Sequence, residues 1–242
     1  KKNLKKELKN ISYVFHLAGA SKAAESIKKP KKYYKVNVKG TINILKVLHN
    51  LKIKKFIYAA SASCYGNPKE LPTTEKAKIK TLSPYAYTKR EAEKKIIKYA
   101  KLYGFSAISL RFFNVYGPRS KISGPYSSVI NIFIKQKLNK KPLTVMGNGL
   151  QTRSFIYVSD IVSAIIKAAN SKINNEIFNV GGKKSITIKK IADILGKEKK
   201  YIPKRAGDPL HSWADITKIR KKLFWKPKID IEIGLRKLLK EW

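Results

Sequence analysis

Tyr85 and Lys89 lie four residues apart in the run Ser83-Pro84-Tyr85-Ala86-Tyr87-Thr88-Lys89. Residues at i and i+4 share one face of a helix, so the phenol and the ammonium can enter one site. A phenol with a pKa of about 10 is a poor base at neutral pH. A nearby ammonium stabilises the phenolate and lowers that pKa. Such a pair could take and return the proton of a substrate hydroxyl. The same spacing also arises from a surface tyrosine and a solvated lysine, so the flanking sequence has to decide between the two.

The elements that would position this pair follow from short apolar runs alternating with helical patterns. The run Tyr13-Val14-Phe15-His16-Leu17 reads as a buried strand entering the small-residue loop Ala18-Gly19-Ala20. Residues 33–51 read as a helix with Val38, Ile42, Leu45 and Leu48 on one face. Residues 56–60 form a second buried strand running into Ser61-Ala62-Ser63. Pro84 then opens a long helix that Gly104 stops, and 106–111 form a third strand. This alternation predicts an α/β fold, a Rossmann-like doubly wound parallel sheet with both faces covered. After Gly117-Pro118 the pattern changes to helices at about 127–138, 159–169 and from Thr187, with short strands at 143–146, 155–158 and 177–180. That half reads as a smaller mixed α/β substrate-binding lobe, with Thr187 as a helix cap and Trp213, Trp225 and Trp242 as packing anchors. The division expected is a sheet domain over 1–118, with later contributions from about 143–170, and a lobe made mainly of 119–242.

Hydrophobic residues make up 43% of the 242, which excludes wholesale disorder. No stretch is long and apolar enough for a membrane helix, no leader is evident after Lys1, and the one cysteine, Cys64, fits a reducing cytoplasm. The net charge is +39. It points either to a polyanion partner or to lysines filling solvated helix faces. The spread of lysines along the chain, as at Lys94, Lys95, Lys98 and Lys101, favours the second. Nucleic acid is therefore not the expected partner, and the charge would still draw in a diphosphate. His16, His49 and His211 are scattered and no G-x-S-x-G elbow occurs, so neither metal nor serine-hydrolase chemistry finds support.

Six motifs in order make the sequence resemble the extended short-chain dehydrogenase/reductases, in particular the NAD-dependent nucleotide-sugar 4-epimerases that act on UDP-glucose or UDP-N-acetylglucosamine. They are Val14 to Gly19, Asn37-Val38-Lys39-Gly40-Thr41, Ser61 to Gly66, Ser83 to Lys89, Arg111-Phe112-Phe113-Asn114-Val115-Tyr116-Gly117-Pro118, and the late stretches Arg153 to Asp160 and Arg205 to Asp208. The resemblance implies that Tyr85 is base and then acid at the sugar's 4-hydroxyl while hydride leaves C4 for NAD and returns to the other face. It implies that Lys89 lowers the Tyr85 pKa and binds cofactor ribose, and that Ser61 hydrogen-bonds the reacting oxygen. Ser61 could alternatively only satisfy a loop amide. Cofactor contacts are implied for Leu17, Ala18, Gly19, Asn37, Ala60, Tyr85, Lys89 and Phe112. Substrate contacts are implied for Ser63, Asn114, Arg153, Arg205, Asp208 and Ser212.

Dehydratase relatives carry an Asp-Glu pair directly after the serine or threonine position. Ala62 and Ser63 stand there in this chain, which argues against 4,6-dehydration. A small residue at Ser212 would admit N-acetylated sugars, although a slip of one places His211 or Trp213 there instead. Arg153-Ser154 replaces the usual Arg-Asp, which removes a carboxylate. The family's opening Gly-rich turn has no counterpart, so about 60 residues of the pattern are expected to lie outside the chain. As written, the chain is expected to bind NAD poorly and to leave a sheet edge exposed. A homodimer through the two long helices and a role in polysaccharide biosynthesis are further implications of the resemblance. Another reductase or decarboxylase of the same fold, or a non-catalytic basic protein, are the alternatives.

Overall fold

The computed structural model describes residues 2–49, 51–120, 127–203 and 210–241. In chain order the first half is α1 (Lys2–Glu7), β1 (Tyr13–His16), α2 (Ala23–Lys28), α3 (Pro30–Tyr33), a π-helical turn (Tyr34–Lys39), α4 (Gly40–Leu48), β2 (Lys55–Ser61), a 3-10 turn (Ala62–Tyr65), α5 (Pro84–Tyr103), β3 (Ser106–Phe112) and β4 (Asn114–Tyr116). The second half is α6 (Val129–Leu138), β5 (Leu143–Met146), β6 (Thr152–Arg153), β7 (Phe155–Tyr157), α7 (Val158–Asn170), β8 (Glu176–Val180), β9 (Ile186–Thr187), α8 (Ile188–Leu195), β10 (Lys199–Ile202), α9 (Thr217–Leu223) and α10 (Ile231–Lys240).

The main sheet has the order β1-β2-β3-β8, every pair parallel. Alternation along the strands splits their side chains between two faces. Phe56, Tyr58 and Ala107 join Leu45, Leu48, Ala92 and Ile96 from α4 and α5. Ile57, Ile108, Leu110 and Phe178 join Ile161, Ala164 and Ala168 of α7, with Ile219 and Leu223 of α9. Helices on both faces of a parallel sheet are the doubly wound arrangement expected. β1 ends the described order, and Tyr13 and Phe15 on it are exposed, as are Val162 and Ile166 of α7.

The single helix expected over 33–51 is instead three pieces, α3, the π turn and α4. The π turn holds an extra residue per turn, which rotates the helix face beyond it. Thr41 is therefore fully buried where the apolar pattern pointed to Ile42, which is only half-buried. Helix α5 matches expectation: Ser83 caps it, Pro84 opens it, and Gly104 closes it with φ of 73°. Its Lys94, Lys98 and Lys101 are exposed, and Lys95 is half-buried, so these lysines largely cover a solvated face.

The second core is built by Phe133 and Ile134 of α6, Leu143 and Val145 of β5, Ile191 and Leu195 of α8, and Leu235 and Leu238 of α10. β5 pairs with β10 in this lobe, while β8, from the later half of the chain, completes the main sheet. Of the stretch 143–170 expected to join the sheet domain, α7 packs on the sheet and β5 does not. Thr187 caps α8, accepting the Lys190 N–H at 3.1 Å. Trp225 is buried and donates to Ser163 at 2.8 Å, Trp213 is half-buried, and Trp242 lies outside the described residues. β4, which follows β3, runs parallel to β7 and so ties lobe to sheet, and β6 runs antiparallel to β9.

Candidate active site

The C-terminal ends of β1 and β2 and the first turn of α5 converge, the usual location of a site in an open α/β sheet. After β1 the chain runs through Leu17, Ala18 and Gly19, all exposed. Asn37, buried on the π turn, clamps this loop. Its Oδ1 accepts the Ala20 N–H at 2.8 Å, and its Nδ2 donates to the Ala20 carbonyl at 3.0 Å and to Thr88 Oγ1 at 3.1 Å. Thr88 is one residue before Lys89, so a single amide joins loop to helix α5. A Cβ on Gly19 would sit 3.1 Å from Asn37 Oδ1 and 3.9 Å from Lys89 Nζ. Asn37 would have to yield a few tenths of an ångström to admit an alanine at this position.

Lys89 is buried. Its ammonium donates to the Ala59 carbonyl and lies 4.4 Å from the centre of the Tyr58 ring. Burial lowers its pKa to about 8, against the raising influence of Glu93. Tyr58 also stacks on His16, whose Nε2 is 2.8 Å from Thr41 Oγ1. Burial, then the charge of Lys89, lowers the His16 pKa to about 4, so the ring is neutral at pH 7.

Tyr85 is half-buried. Burial of the phenol raises its pKa, and a hydrogen bond with Ser61 opposes that rise. The Lys89 ammonium is directed at the Ala59 carbonyl and the Tyr58 ring. Ser61 ends β2, accepts the Ser63 N–H at 3.2 Å and lies 2.9 Å from the Ser63 hydroxyl. It thus satisfies a loop amide at the end of β2 and lines the same cavity as Tyr85. Phe112 is half-buried at the end of β3 and Ala60 is buried on β2.

Two cavities open beside this cluster. The larger, about 520 Å³, is lined by Ser61, Ala62, Ser63, Tyr85, Phe112, Asn114, Arg153, His211 and Ser212, among others. No Asp or Glu is among the described residues that line it. The second, about 310 Å³, adjoins it through Asn114, Ser127 and Arg153 and runs between Val129, Ile132, Met146, Gln151, Phe155, Ile188 and Leu210. Arg153 donates to the carbonyls of Thr152 and Leu210, at 2.8 and 3.3 Å, and Asn114 donates to the Ser154 carbonyl at 3.3 Å. Of the alternatives for the small specificity position, His211 and Ser212 both face the larger cavity, whereas the Trp213 carbonyl accepts the Thr73 N–H at 2.7 Å. Arg205 and Asp208 lie outside the described residues. Ser154, at the usual Asp position, is fully buried, and a Cβ on Gly181 would come within 2.9 Å of its hydroxyl. The space there suits a short side chain.

Sequence reasoning missed a buried polar network beneath the site. Glu93, one turn after Lys89, accepts from Arg111 Nε at 3.0 Å and NH2 at 2.8 Å, and from Ser109 at 2.8 Å. Arg111 donates to the Tyr65 hydroxyl at 2.7 Å, which donates to Asn179 at 2.7 Å. The network locks α5 onto β3 and β8. Its signal was available: Glu93 shares the helix face of Lys89, and Ser109 and Arg111 alternate onto the α5 side of β3.

Comparison with known proteins decides the lineage. Residues 1–181 match the NAD dependent epimerase/dehydratase family. The chain belongs to that family. It is 38% identical over 239 residues to a UDP-glucuronate 4-epimerase of Thermodesulfobacterium geofontis, covering 96% of this chain and 72% of that protein. Its fold is similar to that of a UDP-N-acetylglucosamine 4-epimerase from Methanobrevibacter ruminantium, solved with UDP-N-acetylmuramic acid. The TM-score is 0.94 and the identity 36%, over 98% of this chain and 78% of the other. It is also similar to a UDP-glucuronic acid 4-epimerase from Bacillus cereus, solved with UDP-glucuronic acid and NAD. There the TM-score is 0.90 and the identity 32%, over 98% and 77% of the two chains. The expected fold, enzyme family and NAD cofactor are thereby borne out, as is the nucleotide-sugar epimerase reading at the level of the family.

Proposed function

We propose that the protein is a UDP-sugar 4-epimerase in which Tyr85 exchanges the proton of the sugar's 4-hydroxyl, assisted by Ser61. The observation that carries this reading is that Tyr85, Ser61 and Ser63 together line a cavity that has no carboxylate in its described lining. NAD supplies the acceptor and donor of the C4 hydride when bound. The small, exposed Leu17-Ala18-Gly19 loop, held by Asn37 beside the Lys89 ammonium, suits a cofactor that must approach backbone closely. Leu17, Ala18, Gly19, Asn37, Ala60, Lys89 and Phe112 would hold it.

Tyr85 takes the 4-hydroxyl proton and returns it to the oxygen after the ring has turned. Ser61 donates to the same oxygen as its charge changes. Ser63 and Ser212 face the sugar, and Asn114 and Arg153, which line both cavities, hold the diphosphate between them. The apolar second cavity takes the base, and Arg205 and Asp208 would contact the substrate as the family resemblance implies. On this division the sheet half, residues 1–118 with α7, binds cofactor, and the remainder mainly binds substrate. A cytoplasmic homodimer supplying precursors for polysaccharide synthesis fits the family. No described helix is long and apolar enough to cross a membrane.

Incubation of the protein with NAD and, in separate reactions, UDP-glucose, UDP-N-acetylglucosamine and UDP-glucuronate, followed by separation of the C4 epimers, tests the reading. Conversion of at least one sugar to a C4 epimer is expected. A 4-keto-6-deoxy sugar or a decarboxylated pentose as sole product would contradict it.

A further inference from the structure

The first N–H groups of a helix have no acceptor within it. In α5, Pro84 has no N–H. The Ala86 N–H goes to Ser83 Oγ at 3.2 Å, and the Tyr87 N–H to the Ser83 carbonyl at 3.0 Å. The remaining group is the N–H of Tyr85 itself. Its acceptor comes from 59 residues earlier: Ser26 Oγ, at 3.0 Å. Ser26 is fully buried on α2, and its hydroxyl proton goes to the Ala23 carbonyl. The proton is thus committed to Ala23, and a lone pair is left facing the Tyr85 N–H.

A second contact converges from the same side. Tyr33, at the end of α3 and 1% exposed, sets its ring edge-on to the Tyr85 ring at 6.4 Å. The Tyr33 hydroxyl accepts the Lys22 N–H at 3.1 Å and donates to Glu25 at 3.4 Å. Lys22, Glu25 and Ser26 are one turn of chain, so backbone and ring of Tyr85 are both held from α2 and α3.

We infer that Ser26 is a positioning residue for epimerisation, fixing the Tyr85 backbone so that its phenol meets Ser61 and the substrate hydroxyl. The inference rests on the proposed role of Tyr85. A residue that only caps a helix would alter stability and leave the chemical step alone. A residue that places the reacting group should slow turnover without weakening substrate binding, because displacements on the order of 1 Å can cost about 100-fold in rate.

The test compares Ser26→Ala, and Ser26→Cys as a near-isosteric variant that keeps the volume, with the unaltered full chain. Hydrogen exchange of the Tyr85 amide is read by NMR with 15N-tyrosine labelling, the resonance being assigned by its loss in Tyr85→Phe. Steady-state epimerisation is read at saturating NAD. The Tyr85 amide should exchange at least ~10-fold faster in both variants, with kcat down by about 10- to 100-fold and KM for the UDP-sugar within about two-fold. An amide still protected, a wild-type kcat with the amide freed, or a KM that rises in step with the loss of rate would overturn the inference, as would failure of both variants to fold. Wild-type turnover by Tyr85→Phe is a separate failure, that of the Tyr85 assignment itself, and the amide measurement stands apart from it because it needs no turnover.

Discussion

At the scale of single residues, buried ionisable groups beneath the site tie its integrity to pH and to charge pairing. His16 is the clearest. Its pKa of about 4 when folded lies below the ordinary 6.5, chiefly through burial. Between those values the unfolded chain binds a proton that the folded chain does not, so stability falls as pH drops from 6.5 towards 4. The loss accumulates to on the order of 3 kcal/mol. Urea unfolding between about pH 4.5 and pH 7 should show this slope, and His16→Gln should flatten it; equal slopes in both proteins would contradict the assignment. Glu93 offers a second case. Burial raises its pKa, but the hydrogen bonds and charge of Arg111 outweigh that and bring it below the usual carboxylate range. Glu93→Gln leaves the Arg111 guanidinium buried without its countercharge, which should cost about 3 kcal/mol in the same unfolding assay. A change under about 0.5 kcal/mol would mean that water or a neighbour compensates.

At the scale of elements, α5 is the part that brings chemistry together, and it was legible beforehand. Its cap, opening proline, closing glycine and the Tyr85/Lys89 spacing all follow from local rules that need no knowledge of the rest of the fold. Ser83→Ala should therefore destabilise the protein by about 1 kcal/mol in thermal or urea unfolding, since only the Ala86 N–H loses its acceptor. The elements that sequence reasoning missed are those set by tertiary contact. The π turn of Tyr34–Lys39 has no apolar period of its own; it exists because Asn37 must meet Ala20 and Thr88 while Thr41 meets His16. Strands β4, β6 and β9 are two or three residues long, too short for alternation to announce them, and form only because partners from distant segments lie alongside. The site divides the same way. Tyr85, Lys89 and Ser61 were visible through their motif, whereas Ser26 and Tyr33 reach Tyr85 across more than fifty residues, a pairing that no local pattern encodes.

At the scale of the whole molecule, a charge of +39 surrounds a cavity with no acid in its described lining. Such a field speeds the arrival of a diphosphate and also attracts polyanions without selectivity. Binding to a random duplex DNA should therefore be measurable at about 20 mM salt and lost by about 150 mM, in a fluorescence anisotropy titration. Tight binding that persists at the higher salt would instead mark a nucleic-acid partner. The two cavities adjoin through Asn114, Ser127 and Arg153, and the first turn of α5 lines the larger. The central claim is that Tyr85 carries the proton in C4 epimerisation there. The most direct test is Tyr85→Phe, assayed with NAD for interconversion of C4 epimers and by calorimetry for UDP-sugar affinity. The account predicts turnover reduced by at least ~100-fold with affinity changed less than about three-fold. Turnover at the wild-type rate would contradict it.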